Sequence, residues 1–188
     1  MRTQWLKEKI TYDGSQLTPL YNYLNHDLLG DSVVAWCGSC AVTFEHMIDG
    51  EDLKQKAQIA GDDMLHFVFE LFDFPLSAAI AMQRLTGELV LKTLKSFGDS
   101  TKASQMVRVG DDLYFNEHKF NISIATASRT SSLIHFAVNI TNAGTPVPTC
   151  SLQDFGVTDI EAFAEQCLAE IHEEFMGQKK AFVKVKTF

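Results

Sequence analysis

The chain has 188 residues, 46% of them hydrophobic and 21% charged, with a formal net charge of −8. That length supports one domain over residues 1–188 with a substantial core, and the composition excludes a disordered chain. The negative balance argues against nucleic acid or an anionic membrane surface as a partner, and no apolar run approaches the roughly 20 residues that span a bilayer.

The start, Met1-Arg-Thr-Gln-Trp5, has no apolar leader, so a cytoplasmic protein with four reduced cysteines (Cys37, Cys40, Cys150 and Cys167) is expected. Residues 5–12 read as a first strand closed by the turn pair Asp13-Gly14. In residues 16–29, Leu17, Leu20, Tyr21, Leu24 and Leu28 recur at helical spacing before Gly30. Residues 32–36 predict a buried strand, interrupted by Cys37-Gly38-Ser39-Cys40 and resumed over 41–44. Residues 45–60 are polar, with a short helix near 52–58, and 65–72 read as a strand stopped by Asp73-Phe74-Pro75.

The long element is Leu76–Phe97, whose apolar positions share one face, and whose start suits Ser77 after Pro75. Residues 98–103 read as a loop. A three-stranded meander is then expected across residues 108–142, from apolar runs rich in β-branched and aromatic residues split by short polar turns. Thr158 and Glu161 carry a capping-box spacing for a last helix to about Phe175, and the alternating residues 182–188 suggest an edge strand. The fold class expected is α+β: a largely antiparallel mixed sheet with helices packed on it.

Within the meander, Lys119 opens the middle strand beside Asp111 and Asp112 on the strand before. A lysine fixed on a sheet edge can face developing negative charge, although strand ends are also commonly solvated by such residues. The aspartates read either as a turn or as a pair that holds Mg²⁺ or a ligand amine. Cys37-x-x-Cys40 has no second ligand pair in sight for a zinc site, so a tight loop is the better account. Cys150, after Pro146-Val-Pro148-Thr149, is a small packing residue or a nucleophile that would need an amine or imidazole nearby. His135 in mid-strand reads as a packed histidine.

Residues 110–152 resemble the biotin/lipoate protein ligase superfamily, which has a class II synthetase-like fold. The matching pieces are Asp111-Asp112-Leu113, Lys119-Phe120, the run from Val138 through Asn139 to Asn142, and Thr149-Cys150-Ser151-Leu152. Upstream, Gly38-Ser39-Cys40-Ala41-Val42 followed by His46 is similar to the small-residue run and histidine of lipoate ligases and octanoyltransferases. The resemblance spans residues 36–175 and extends to small prokaryotic relatives of unassigned reaction.

It implies a pocket for a small carboxylate, biotin- or lipoate-like, with Lys119 on the carboxylate or its acyl-adenylate. ATP and Mg²⁺ would activate the acid, and a lysine on a carrier protein would receive the acyl group. Gly38, Ser39, Cys40, His46, Asp111, Asp112 and Asn139 would line the site, and related proteins suggest a homodimer. Two departures stand out. The arginine-bearing glycine loop of biotin ligases is absent, as is the intact Arg-x-x-Gly-Gly-Gly run of lipoate ligases. Two alternatives follow: an ATP-independent acyltransferase using Cys150 with Lys119, and a relative that binds a small molecule without catalysis.

Overall fold

The computed structural model describes residues 1–186. In chain order the elements are β1 (Arg2–Leu6), α1 (Tyr21–His26), β2 (Ser32–Ala41), α2 (Gly50–Gln55), β3 (Ala60–Phe72), α3 (Leu76–Phe97) and α4 (Ser100–Ala103). They continue with β4 (Val107–Val109), β5 (Asp112–Phe115), β6 (His118–Lys119), β7 (Asn121–Ala127), β8 (Ser131–Asn139) and α5 (Ile160–Lys184). A five-stranded sheet has the order β1-β2-β3-β8-β7, and β4-β5-β6 form a separate three-stranded sheet. Only β1 and β2 run parallel; the other pairs of the large sheet are antiparallel. This is the α+β domain with a largely antiparallel mixed sheet that the sequence predicts.

The large sheet is buried on both faces, which is why its central strands read as near-continuous apolar runs rather than alternating ones. Successive side chains still take opposite sides. Leu65, Phe67, Phe69 and Leu71 of β3 join Ile134, Phe136 and Val138 of β8 in the core beneath α3 and α5. Val68 and Met64 of β3, Ala137 of β8, and Val34 and Trp36 of β2 form a smaller core on the other side. Leu17, Tyr21 and Leu28, from the chain between β1 and β2, pack against it.

Several elements differ from expectation. The first strand is Arg2–Leu6, and Tyr12 makes only an isolated bridge to Cys40. The helix expected over 16–29 shrinks to Tyr21–His26, because Leu20 and Asp27 take left-handed backbone on either side of it. β2 runs unbroken through Cys37–Cys40, with a bulge between Gly38 and Cys40. The bulge absorbs an irregularity that reads as a break in the sequence. Residues 98–103 contain a helical turn, α4, whose N-terminal N–H groups donate to Asp99.

The expected meander divides at Phe120. That ring is fully buried and leaves Lys119 at the end of β6, with a new strand starting at Asn121. Asp159, not Thr158, caps the last helix by accepting from Ala162 N–H. That helix continues to Lys184, so residues 182–184 are helical; of the expected edge strand, 187–188 lie outside the described residues. Among the described residues no helix is long and apolar enough to cross a membrane.

Candidate functional site

Lys119 is placed by backbone constraints on both sides. Its N–H donates to Pro148 C=O, its carbonyl accepts from Cys150 N–H, and it forms an isolated bridge with Thr149. Asn139 adds a side-chain clamp, its Nδ2 donating to Lys119 C=O at 3.2 Å and to Cys150 C=O at 3.1 Å. The ammonium is thus aimed by a short strand and a buried amide rather than by a long sheet edge. Lys119 Nζ stands 2.9 Å from Asp112 Oδ2, a half-buried ion pair, and Tyr114 Oη donates to the same carboxylate oxygen at 3.1 Å. Partial burial, and then the Asp112 charge, push the Tyr114 phenol up.

Two adjoining cavities meet at this lysine. The first, about 100 Å³, has Tyr12, Ile59, Ile122, Ile124 and His135 in its wall. The second, about 370 Å³, is built on Tyr114, Asn121, Asn139 and the segment Pro146–Thr149. Lys119, Asp52, Ile59 and Ile122 line both. Desolvation, and then neighbouring Asp49, raise the Asp52 carboxyl above the usual carboxylate range. The result is a two-lobed cleft with one ammonium at the waist, suited to a ligand that carries negative charge near its middle.

The two sheets are joined by Asn121. Its Oδ1 accepts Leu113 N–H at 2.7 Å and its Nδ2 donates to Asp111 C=O at 3.0 Å. That buried amide ties the backbone on either side of Asp112 to the start of β7, two residues beyond Lys119.

The residues expected at the site are not all in one place. Lys119 and Asp112 pair as described, and His46 lines the His135 lobe, its Nδ1 3.1 Å from Thr43 Oγ1. Asn139 lines the other lobe and works largely through backbone. Asp111 lines neither lobe: its Oδ2 accepts from Gln83 Nε2 at 2.9 Å and Ser123 Oγ at 2.7 Å, tying α3 to β7.

Gly38 and Ser39 line a separate depression with Lys9, Thr11 and Asp63, and Ser39 Oγ lies 2.8 Å from Thr11 Oγ1. Cys40 is buried in the smaller core, whereas Cys37 packs against the larger one, so the two thiols stand on opposite faces of the sheet. Among the described residues no group of three or more His, Cys, Asp or Glu side chains could hold a metal ion. Cys150 is buried in the helix-side core, its Sγ 3.4 Å from His118 C=O, and burial pushes its thiol up to about 11. It lines neither lobe of the cleft.

The sequence reading missed Tyr12, Asp52, Tyr114 and Asn121 as cleft residues. Their signal lies in long-range contacts, since Asp52 and Lys119 are far apart in the chain. Asn121, a polar residue opening an apolar strand, was the one local clue.

A family model described as a domain of unknown function, DUF366, matches residues 1–186. The chain belongs to the DUF366 family. This DUF366 chain is 32% identical over 163 residues to the uncharacterized protein MJ0805 of Methanocaldococcus jannaschii, covering 84% of the chain and 72% of that relative. A solved protein of unknown function from Pyrococcus horikoshi superposes with a TM-score of 0.90 at 35% identity, covering 99% of both chains.

More distant structures share the fold. The apo biotin protein ligase of Aquifex aeolicus matches with a TM-score of 0.60 at 15% identity, covering 95% of the DUF366 chain and 71% of the ligase. A lipoate ligase-like protein, Ta0514 of T. acidophilum, solved with bound lipoic acid, matches with a TM-score of 0.57 at 15% identity, covering 93% and 86%. The DUF366 chain therefore has the fold of biotin/lipoate ligase catalytic domains.

Proposed function

We propose that this chain binds a small carboxylic acid, or its acyl-adenylate, with the carboxyl group at Lys119, and transfers the acyl group to a lysine of a carrier protein. The observation that carries this reading is the position of Lys119 at the waist shared by both lobes. The acyl chain would lie against Ile122 and Ile124, and the activating group against Tyr114 and the Pro146–Thr149 segment. A carrier amine attacking the acyl carbon forms the amide C–N bond while the carbon–phosphate oxygen bond breaks. AMP keeps the electron pair, and the amine's proton passes to solvent. The Lys119 ammonium, held in place before the reaction, stabilises charge as it builds on the departing oxygens.

Charge bears on whether ATP itself is used. Lys119 is the only Lys or Arg lining the Pro146–Thr149 lobe among the described residues, and Asp52 and Glu117 line it too. One cation beside two acids suits the single charge of an acyl-adenylate better than a triphosphate, so ATP and Mg²⁺ fit this lobe poorly. The same observation supports a second reading, a non-catalytic carboxylate-binding relative.

Thermal shift and calorimetry against biotin, lipoate, octanoate and ATP, with wild type and Lys119→Ala, test the assignment. Ligand-dependent stabilisation lost in the variant supports it; binding unaffected by the substitution sinks it. Release of AMP from a supplied acyl-adenylate, with amide formation on a carrier lysine, would establish the transfer reading over the non-catalytic one.

A further inference from the structure

His135 closes one end of the cleft with its protonation pattern dictated by its neighbours. His66, fully buried in β3, has its Nε2 3.2 Å from Gly38 C=O. A carbonyl only accepts, so that nitrogen carries the proton. Burial disfavours the charged form of both imidazoles and holds them neutral, so His66 Nδ1 is an acceptor. The 3.0 Å contact between His66 Nδ1 and His135 Nε2 then requires the proton on His135 Nε2. It follows that His135 Nδ1 has no proton.

The ring is fixed from outside as well. Tyr12 stacks on it with centroids 3.6 Å apart and planes 10° apart, and Trp36 stacks on His66 at 5.5 Å. His135 is 2% exposed and lines the lobe beside Ile122 and Ile124. Three buried side-chain atoms lack a hydrogen-bond partner among the described residues: Trp5 Nε1, Asn22 Oδ1 and His26 Nε2. His135 Nδ1 is not one of them, and no protein group bonds to it there, so it reaches the cavity surface. A rigid, desolvated acceptor stands beside Ile122 and Ile124 in a lobe whose wall also carries Asp49, Asp52, Ser123 and Lys119.

We propose that His135 is a specificity-determining residue, and that the acid bound in this lobe carries an N–H or O–H donor at the end remote from its carboxylate. This inference rests on the carboxylate reading of Lys119. A donor reaching His135 Nδ1 forms a hydrogen bond in a preorganised site, whereas a plain alkyl tail strands that acceptor without water. The relay from Gly38 C=O through His66 locks the tautomer, so the position facing His135 Nδ1 selects a donor over an acceptor such as a terminal carbonyl.

The test compares matched acids of four to eight carbons, each alkyl acid against its ω-hydroxy counterpart, by calorimetry on the wild-type chain. The expected result is tighter binding of the hydroxy acid, by about tenfold or more at the length that spans the lobe. The preference falls to near parity in His135→Phe, where the acceptor at that position is replaced by carbon. Nitrogen-15 NMR of the unliganded protein gives a second readout that needs no variant. His135 Nδ1 should report an unprotonated ring nitrogen and shift when the hydroxy acid binds. Alkyl acids that bind as well as hydroxy acids, with loss on Lys119→Ala, overturn this inference and leave the carboxylate reading standing. If no acid of either series binds, both fall together.

Discussion

The Glu70 carboxylate of β3 reaches across the sheet to the backbone of Leu20, whose N–H lies 2.9 and 3.0 Å from its two oxygens. Ser131 Oγ adds a third hydrogen bond at 2.9 Å. Glu70 is 2% exposed, so one buried acid ties the segment before α1 to the central strands. It also holds Leu20 in left-handed backbone, with φ of 65°. Glu70→Ala leaves those donors buried without an acceptor and should cost about 2–4 kcal/mol. Urea unfolding measures it; a change under about 0.5 kcal/mol would show that water replaces the carboxylate at no cost.

Gly38 lies against the Ile10 backbone so closely that an added Cβ would fall on the Ile10 carbonyl. That carbonyl also accepts Trp36 Nε1 at 2.9 Å. Gly38→Ala should therefore destabilise by roughly 1–3 kcal/mol, through displaced backbone and a strained indole hydrogen bond. A fall in the denaturant midpoint with unchanged slope is the expected signature.

Acid should weaken the fold through the histidine pair. Burial pushes His66 down to about 4, and His135 is lowered by burial and then by His66. In the unfolded chain both imidazoles take up a proton near pH 6.5. The unfolded state thus binds more protons between about pH 6.5 and 4, and stability falls as pH drops through that window. His66 alone contributes a loss on the order of 3 kcal/mol. Denaturant midpoints at pH 7 and pH 4.5 decide it; equal stability at both would mean that the pair is solvated in the native state.

Cys150 should be inert. Its thiol is buried and raised to about 11, so at pH 8 only about one molecule in a thousand carries the thiolate. Cys150→Ala should leave acid binding and any acyl transfer within twofold of wild type, at a stability cost of about 1 kcal/mol from the lost packing. A trapped acyl-thioester that disappears in this variant would reverse the assignment.

Lys119→Ala should change stability little, by about 1 kcal/mol or less, because its ion pair with Asp112 is partly exposed and screened. A large loss of bound ligand with a nearly unchanged apo midpoint would separate a binding lysine from a structural one.

Local pattern was enough for the long amphipathic helix Leu76–Phe97, the apolar strands of the large sheet, and the α+β class. Periodicity reports which face of an element is buried, and that information is local. The nearness of Lys119 to Asp112 was also readable, since the two are joined by a short hairpin. Strand limits were less legible. The Phe120 break and the Gly38/Cys40 bulge depend on which backbone lies opposite: the first leaves no distinctive residue pattern, and the second reads in sequence as the end of a strand that in fact continues.

What only the tertiary structure decided is which side chains share the cleft with that lysine. Asp52 arrives from α2, Tyr12 from the segment after β1, and His135 from a strand buried on both faces. Gly38 and Ser39, which the family resemblance assigned to the site, line a separate depression. Cys150 is close to Lys119 in backbone, yet its side chain turns into the helix-side core. Chain order and spacing do not encode these directions. They follow from sheet order and from the alternation of side chains across it, which exist only once the distant strands have paired.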